Sequence, residues 1–211
     1  IRDYQRELQR ELSRRRTDFT GFLRDRLGMA RQELAEEHSR RARVQGLPRA
    51  QLRRDGVDQL LLDSLLAHNS GAYERAVGLY TMGLEQARDP RVEAILRLHR
   101  AMARFALDEL EEARTDLQRV IELDPGNARA WFYLAGCQWL SMETDAALDS
   151  LGSVLRLDPR NADALYARAR IHSDNGSRES ALADLRAALS HQPDFPEARA
   201  LADQLSGAQT R

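Results

Sequence analysis

A regularly spaced series of prolines is the feature that most restricts what this chain can fold into. Asp-Pro pairs end at Pro90, Pro125 and Pro159, and Pro193 continues the series, so that the spacings are 35, 34 and 34 residues. Self-similarity with a period of about 20 to 50 residues is typical of repeat proteins, in which each copy buries its apolar face against the next. We therefore expect an architecture of stacked copies, each about 34 residues long.

Small and large apolar residues recur in phase with the prolines. Alanine precedes three of the prolines by twelve residues, at Ala113, Ala147 and Ala181. Another alanine lies twelve residues before each of these, at Ala101, Ala135 and Ala169. A leucine lies four residues after each alanine of the first set, at Leu117, Leu151 and Leu185. The pattern W-x2-L-A is intact at Trp131, Leu134 and Ala135. This pattern resembles the tetratricopeptide repeat, a 34-residue helix–turn–helix unit with small residues where its two helices touch.

The resemblance covers about three quarters of the chain and implies an all-α solenoid. A degenerate first copy keeps the same spacings at Ser64, Ala76 and Tyr80, but the step from Ala76 to Ala113 is 37 residues. We expect four repeats, at about 55–90, 91–125, 126–159 and 160–193, followed by a capping helix at 196–205 and a frayed tail at 206–211. The proline after each second helix is expected to end it, and residues 174–177 (Asp-Asn-Gly-Ser) have the composition of a tight turn.

Residues 1–54 do not follow the repeat pattern and are predicted to form a basic amphipathic helical segment. Apolar residues recur there at helical spacing: Tyr4, Leu8, Leu12, Phe19, Phe22, Leu23, Leu27, Ala30 and Leu34. Such a stripe needs a partner. The first repeat, a second copy of the chain and an outside protein are the alternatives, so a homo-oligomer formed through this segment stays open.

Charge is divided unevenly along the chain. All 32 basic residues are arginine; residues 1–54 hold 15 of them against 8 acidic residues, a net +7, whereas residues 55–211 hold 17 against 25, a net −8. Arginine pairs well with phosphate, and the clusters at 14–16, 40–43 and 53–54 therefore favour nucleic-acid or anionic-membrane binding as an alternative function. A basic arm that docks on an acidic body is the other interpretation.

Motifs for catalysis, metals and cofactors are absent from the sequence. No nucleophile elbow, zinc-protease, P-loop or dinucleotide motif occurs, and the five histidines are scattered. The single cysteine, Cys137, excludes an internal disulfide and a multi-cysteine metal cluster, and we expect it to be a small buried apolar residue. The sequence therefore predicts a protein that is not an enzyme and that needs no cofactor.

The resemblance also implies a binding surface, because the first helix of each repeat lines a concave groove in the family. Transferred to this chain through the alanine positions, it predicts an apolar and aromatic groove with two arginines, and the candidate residues are Leu98, Met102, Phe105, Arg129, Phe132, Trp139, Tyr166 and Arg170. Some of them would face the core instead if the register were wrong by one residue, because that error rotates a helical position by about 100°. The chain has no lysine, so the lysine-dependent carboxylate clamp of chaperone-binding members is poorly supported.

The predicted function is a non-enzymatic interaction scaffold or adaptor that binds a peptide or helix of a protein partner. The apolar runs are too short for a membrane span, and no signal peptide is visible. We therefore expect a cytoplasmic protein. The chain begins at Ile1 rather than Met, so an upstream leader or anchor stays an open alternative.

Overall fold

The computed structural model describes residues 56–207, with side chains at 60, 61 and 63–207. The predictions for the N-terminal segment, namely a basic amphipathic helix, polyanion binding and oligomerisation, lie outside the described residues. The described chain divides into two compact units, the first ending at Glu109 and the second beginning at Leu110. This boundary falls between the two helices of the second repeat.

The described residues form helices joined by short links. The first unit contains α1 (Gly56–Asn69), α2 (Tyr73–Gln86) and α3 (Pro90–Ala106); the second contains α4 (Leu110–Leu123), α5 (Ala128–Leu140), α6 (Thr144–Leu157), α7 (Ala162–Asp174), α8 (Arg178–His191) and α9 (Pro196–Gly207). We call α1, α3, α5 and α7 the A helices and α2, α4, α6 and α8 the B helices. Within each unit, consecutive helices pack against each other.

The prediction of an all-α fold is confirmed, since residues 56–207 contain helices and turns but no strand. None of the helices in this range is long and apolar enough to cross a membrane.

The repeat anchors form the core in the predicted register. We number each repeat so that the first anchor is position eight: Ser64, Ala101, Ala135 and Ala169. These residues, the position-20 alanines (Ala76, Ala113, Ala147 and Ala181) and the large residues at position 24 (Tyr80, Leu117, Leu151 and Leu185) are all buried. A small side chain at positions 8 and 20 lets two helices approach closely, and the larger residue fills the space beside that contact.

Each A helix ends in the same left-handed turn. Gly71, Asp108, Met142 and Gly176 all have positive φ, between 65° and 81°, and occupy the same position in their repeats. The next amide donates back to a carbonyl in the last turn of the helix, for example Glu143 N to Gln138 O at 2.8 Å and Ser177 N to His172 O at 2.8 Å. This is the Schellman arrangement, which satisfies carbonyls that the helix end leaves unpaired.

The last two links between repeats are fixed by an Asp-Pro-x-Asn sequence. Asp158 Oδ1 accepts from Arg160 N at 3.0 Å, and the Asn161 side chain accepts from Ala164 N at 2.9 Å, which caps α7. Residues 124–127 repeat the arrangement ahead of α5. An Asn cap satisfies an amide at the helix start and is worth about 1 kcal/mol.

Pro90 has a different role from the one predicted. The other three prolines follow a B helix by two residues, but α2 already ends at Gln86, and Pro90 is the first residue of α3. Asp89 caps this helix by accepting from Arg91 N at 2.8 Å. Proline suits the first helical position because its missing N–H would have no partner there. The 37-residue step therefore lengthens α3 at its N-terminus, to 17 residues against 13 in α5 and in α7, and does not lengthen the link before it.

The closing helix α9 covers the last repeat. Ala198 and Leu201 are buried, Ala202 and Leu205 are half-buried, and the opposite side of the helix is polar. The helix continues to Gly207, two residues beyond the predicted end. Phe195, in the link that precedes it, is fully buried and lies 5.1 Å from Tyr166, measured between ring centroids.

Candidate functional site

The three candidate groove residues of the first unit are not at the surface. Leu98, Met102 and Phe105 lie on α3 and are all buried. Ala94, Leu96, Ala101 and Ala103 are buried as well, whereas Ile95 is exposed. The prediction that α3 presents an open apolar strip is therefore wrong for this structure.

Trp139 on α5 was predicted to anchor a bound peptide, but only 2% of it is exposed. The reason is the composition of α5, which is apolar around nearly its whole circumference: Ala130, Tyr133, Leu134, Ala135, Gly136, Cys137 and Leu140 are also buried. A helix that is apolar on all sides is a core helix. Trp139 therefore stabilises the second unit and is not exposed for docking.

Tyr166 is also buried, and its neighbour explains why. The ring of Phe195 lies against it, so the link before α9 covers the side chain that the family pattern assigns to the groove. The prediction that Tyr166 lines an open surface is wrong for this structure.

The remaining three candidates reach the surface, and all belong to the second unit. Arg129 is exposed, and Phe132 and Arg170 are half-buried. Arg129 and Phe132 lie in the first half of α5, and Arg170 lies in the second half of α7. The Phe132 ring stands edge-on to Tyr133 with centroids 6.2 Å apart, which fixes its orientation. We call these three residues the A-helix surface.

A partly buried ion pair joins the two helices of the fourth repeat. Arg168 on α7 binds Asp184 on α8 through two hydrogen bonds, Nε to Oδ2 at 2.8 Å and Nη2 to Oδ1 at 2.6 Å. The hydrogen bonds that Arg168 donates to the Asp184 carboxylate raise the pKa of Arg168 above its ordinary value. His172 Nε2 lies 3.9 Å from the same carboxylate. This pair fixes α7, which carries Arg170.

Ser150 is the third-repeat equivalent of Asp184, and it makes a neutral contact, in which its Oγ donates to Gln138 Oε1 at 2.7 Å. The sequence reasoning missed both contacts. The available signal was that Ser150 and Asp184, both buried polar residues, are one repeat apart on the B helices.

The single cysteine is buried, and no metal-holding group of side chains occurs in the described part of the chain. Burial raises the pKa of the Cys137 thiol to about 12, so the residue is a neutral thiol at physiological pH. Between residues 56 and 207, no three His, Cys, Asp or Glu side chains are placed to hold a metal ion.

Comparisons with protein families agree with the repeat pattern. Residues 162–195 match the model described as tetratricopeptide repeat, and residues 98–176 match the second ARM domain of tetratricopeptide repeat protein 21. No curated protein sequence matches the chain significantly.

Solved structures of tetratricopeptide proteins share the fold. MamA (residues 41 to the end) from Desulfovibrio magneticus RS-1 is 16% identical over 74% of this chain and 86% of its own, with a TM-score of 0.64. YrrB, described as a TPR protein with an unusual peptide-binding site, is 23% identical over 69% and 74%, with a TM-score of 0.61. The second TPR domain of human RPAP3 is 27% identical over 53% and 91%, with a TM-score of 0.50.

Four observations lead to one assignment: the in-phase anchors, the shared turn at the end of each A helix, the family matches and these structural neighbours. The chain has the fold of tetratricopeptide repeat proteins, and residues 162–195 match the tetratricopeptide repeat model.

Proposed function

We propose that this protein is a non-enzymatic binding module whose A-helix surface holds a peptide or helix of a protein partner. The observation that carries the proposal is the position of Phe132: it is an aromatic ring that remains partly exposed on a helix whose other large apolar residues are nearly all buried. Arg129, one turn earlier, supplies a positive charge beside it.

The chemistry of this surface suits a partner with both apolar and acidic groups. Phe132 offers a rigid apolar face, and aromatic and arginine residues are enriched among those that contribute most to binding. The guanidinium group of Arg129, which is exposed, can form paired hydrogen bonds with a carboxylate. We therefore infer that the partner segment contains an apolar side chain and at least one carboxylate.

Two of the structural neighbours support peptide binding by this fold. The RPAP3 domain was solved in complex with an HSP70 peptide, SGPTIEEVD, which contains three acidic residues. The description of YrrB also names a peptide-binding site. The present chain has no lysine, and arginine is the only permanently charged cation that it can offer to such a ligand.

The proposal is tested with peptides selected from a random library on the full chain. We expect the selected peptides to bind the double variant Phe132→Ala/Arg129→Glu at least tenfold more weakly than the unaltered chain, because both the apolar anchor and the charge are lost. The matched control is Leu157→Ala/Arg160→Glu, which makes the same changes at exposed residues at the end of α6 and in the link after it.

The control variant should keep the full affinity. Failure of the library to yield any binder, or equal affinity of all three proteins for the selected peptides, would contradict the proposal.

A further inference from the structure

Asn175 and Gly176 form an exposed turn between α7 and α8. Asn175 directly follows α7, with φ −84° and ψ 3°. Gly176 has φ +74°, and a Cβ added to it would meet no atom within 4 Å. Both residues are exposed. A side-chain amide therefore stands next to an uncrowded backbone amide in contact with water.

Asparagine is a thermally labile residue, and its neighbour in the sequence controls its reaction. The backbone nitrogen of the next residue attacks the side-chain carbon Cγ, the bond from Cγ to the amide nitrogen breaks, and ammonia leaves. Water then opens the five-membered succinimide ring at either carbonyl and gives aspartate or isoaspartate. The whole reaction consumes one water and releases one ammonia. A Cβ on the next residue hinders the attack, and glycine has none.

The other three asparagines of the chain lack this combination. Asn69 precedes Ser70, and Asn127 and Asn161 each precede an alanine. The side-chain oxygens of Asn127 and Asn161 also accept from the amide three residues later, at 3.0 and 2.9 Å, so that their side chains are held as helix caps. Asn175 lies at the end of a helix, where it has no such role, and it is the asparagine that the sequence and the structure leave open to attack.

Two hydrogen bonds of the turn control how often the attack can occur. Gly176 N donates to Ser173 O at 3.0 Å, and Ser177 N donates to His172 O at 2.8 Å. With ψ at 3°, the Gly176 nitrogen lies beside the backbone nitrogen of Asn175 and away from its side chain. The ring can close only after the turn has opened, so the reaction rate depends on local opening at the end of α7.

We propose that Asn175 is a site of spontaneous deamidation, and that its isoaspartate product opens the turn between α7 and α8. Isoaspartate continues the chain through the former side chain and adds one atom to the backbone, which moves the Gly176 and Ser177 amides out of register with their carbonyl acceptors. The new carboxylate also lies beside Asp174 at the C-terminus of α7, where the helix dipole disfavours negative charge. Both effects weaken the last turn of α7.

Peptide mapping of the full chain tests the site itself. The protein is held in mildly alkaline buffer, samples are digested with an acid protease at intervals, and mass spectrometry follows the replacement of each asparagine amide by a carboxylate. An isoaspartyl methyltransferase, which methylates isoaspartate but not aspartate, distinguishes the two products. We expect Asn175 to react at least tenfold faster than Asn127 and Asn161, and isoaspartate to be the larger product. Equal rates at the three sites, or aspartate without isoaspartate, would overturn the proposal.

A variant with a weakened turn tests the dependence on local opening. Ser177→Pro removes the N–H that donates to His172 O. We expect Asn175 to react at least threefold faster in this variant, while the rate at Asn161 stays the same. The constant rate at Asn161 shows that the fold is retained, because general unfolding would expose both asparagines. An unchanged rate at Asn175 would contradict control by the turn.

Hydrogen exchange of the aged protein measures the structural effect of the product. Peptides with asparagine and with isoaspartate at position 175 separate in chromatography, so each form reports its own exchange. We expect residues 171–177 to exchange at least tenfold faster in the isoaspartate form. Asn175→Asp is the matched control, since it adds the same charge to a normal backbone, and it should accelerate exchange less than threefold. Equal exchange in the isoaspartate and asparagine forms would overturn the proposed opening of the turn.

Discussion

The residues that end the A helices show how one backbone requirement is met by different side chains. The left-handed conformation is occupied by glycine in the first and fourth repeats, but by Asp108 and Met142 in the second and third. The left-handed conformation destabilises a residue with a Cβ by about 1–2 kcal/mol, because the Cβ approaches the following carbonyl. The surrounding hydrogen bonds of the turn hold Met142 there despite that cost.

Replacing Met142 by glycine should therefore stabilise the second unit. We expect Met142→Gly to raise the free energy of unfolding by about 0.5–1 kcal/mol, which is the strain removed less the additional freedom of glycine in the unfolded chain. Urea denaturation at constant m-value measures the change. Met142→Ala is the control, since it shortens the side chain but keeps the Cβ, and it should give no gain. Equal effects of the two substitutions would show that the backbone is not strained at this position.

The Arg168–Asp184 pair makes a second prediction at the scale of single residues. Asp184→Ala leaves the partly buried Arg168 guanidinium without its two hydrogen bonds, and we expect a loss of about 1–3 kcal/mol in the free energy of unfolding. A double-mutant cycle with Arg168→Ala should show coupling of at least 1 kcal/mol. The exposed pair Arg119–Glu122 is the control and should contribute less than about 0.5 kcal/mol. Coupling of the same size in both cycles would contradict the structural role of the partly buried pair.

At the scale of helices, the sequence predicted the repeat phase well. The spacing of Ala113, Ala147 and Ala181 identified the B-helix anchors, because an alanine at a close helix crossing cannot be replaced without moving the helices. The extra turn of α3 could not be predicted, since a 37-residue step does not say which element receives the additional residues. Pro90 illustrates this: the same residue ends a helix or begins one, depending on where the preceding helix stops.

Burial on the A helices was less predictable than their phase. The family pattern places Trp139 and Tyr166 on the groove side of their helices, but the exposure of each side chain depends on which other residues cover it. For Tyr166 the cover is Phe195, a residue in a link that no periodicity singles out. Of the eight candidate residues, Arg129, Phe132 and Arg170 remain at the surface, and binding by them stays a prediction.

Trp139 and Phe132 lie two helical turns apart on α5 and should respond differently to truncation. Trp139→Ala is expected to cost about 3–5 kcal/mol in the free energy of unfolding, because it leaves a large cavity in the core of the second unit. Phe132→Ala should cost no more than about 1–2 kcal/mol, since part of its ring is already in water. Thermal and urea denaturation of the two variants measure the difference. A larger loss for Phe132→Ala would mean that the ring belongs to the core.

At the scale of the whole molecule, the chain combines a repeat scaffold with a strong division of charge. Residues 55–211 carry a net −8 and residues 1–54 a net +7, an asymmetry that the balanced total of −1 conceals. The packing of the repeats accounts for most buried alanines and leucines but not for Leu66 or for the exposed Arg129. Leu66 is an exposed leucine of α1, and Arg129 lies on the A-helix surface.

The measurement that tests the central claim most directly is hydroxyl-radical footprinting of the full chain with and without a saturating, library-selected peptide. The account predicts that oxidation of Phe132 falls at least threefold when the peptide binds, while oxidation of Met142, an exposed residue in the turn after α5, stays constant. Unchanged oxidation of Phe132 under saturating peptide would show that the partner binds elsewhere and would contradict the account.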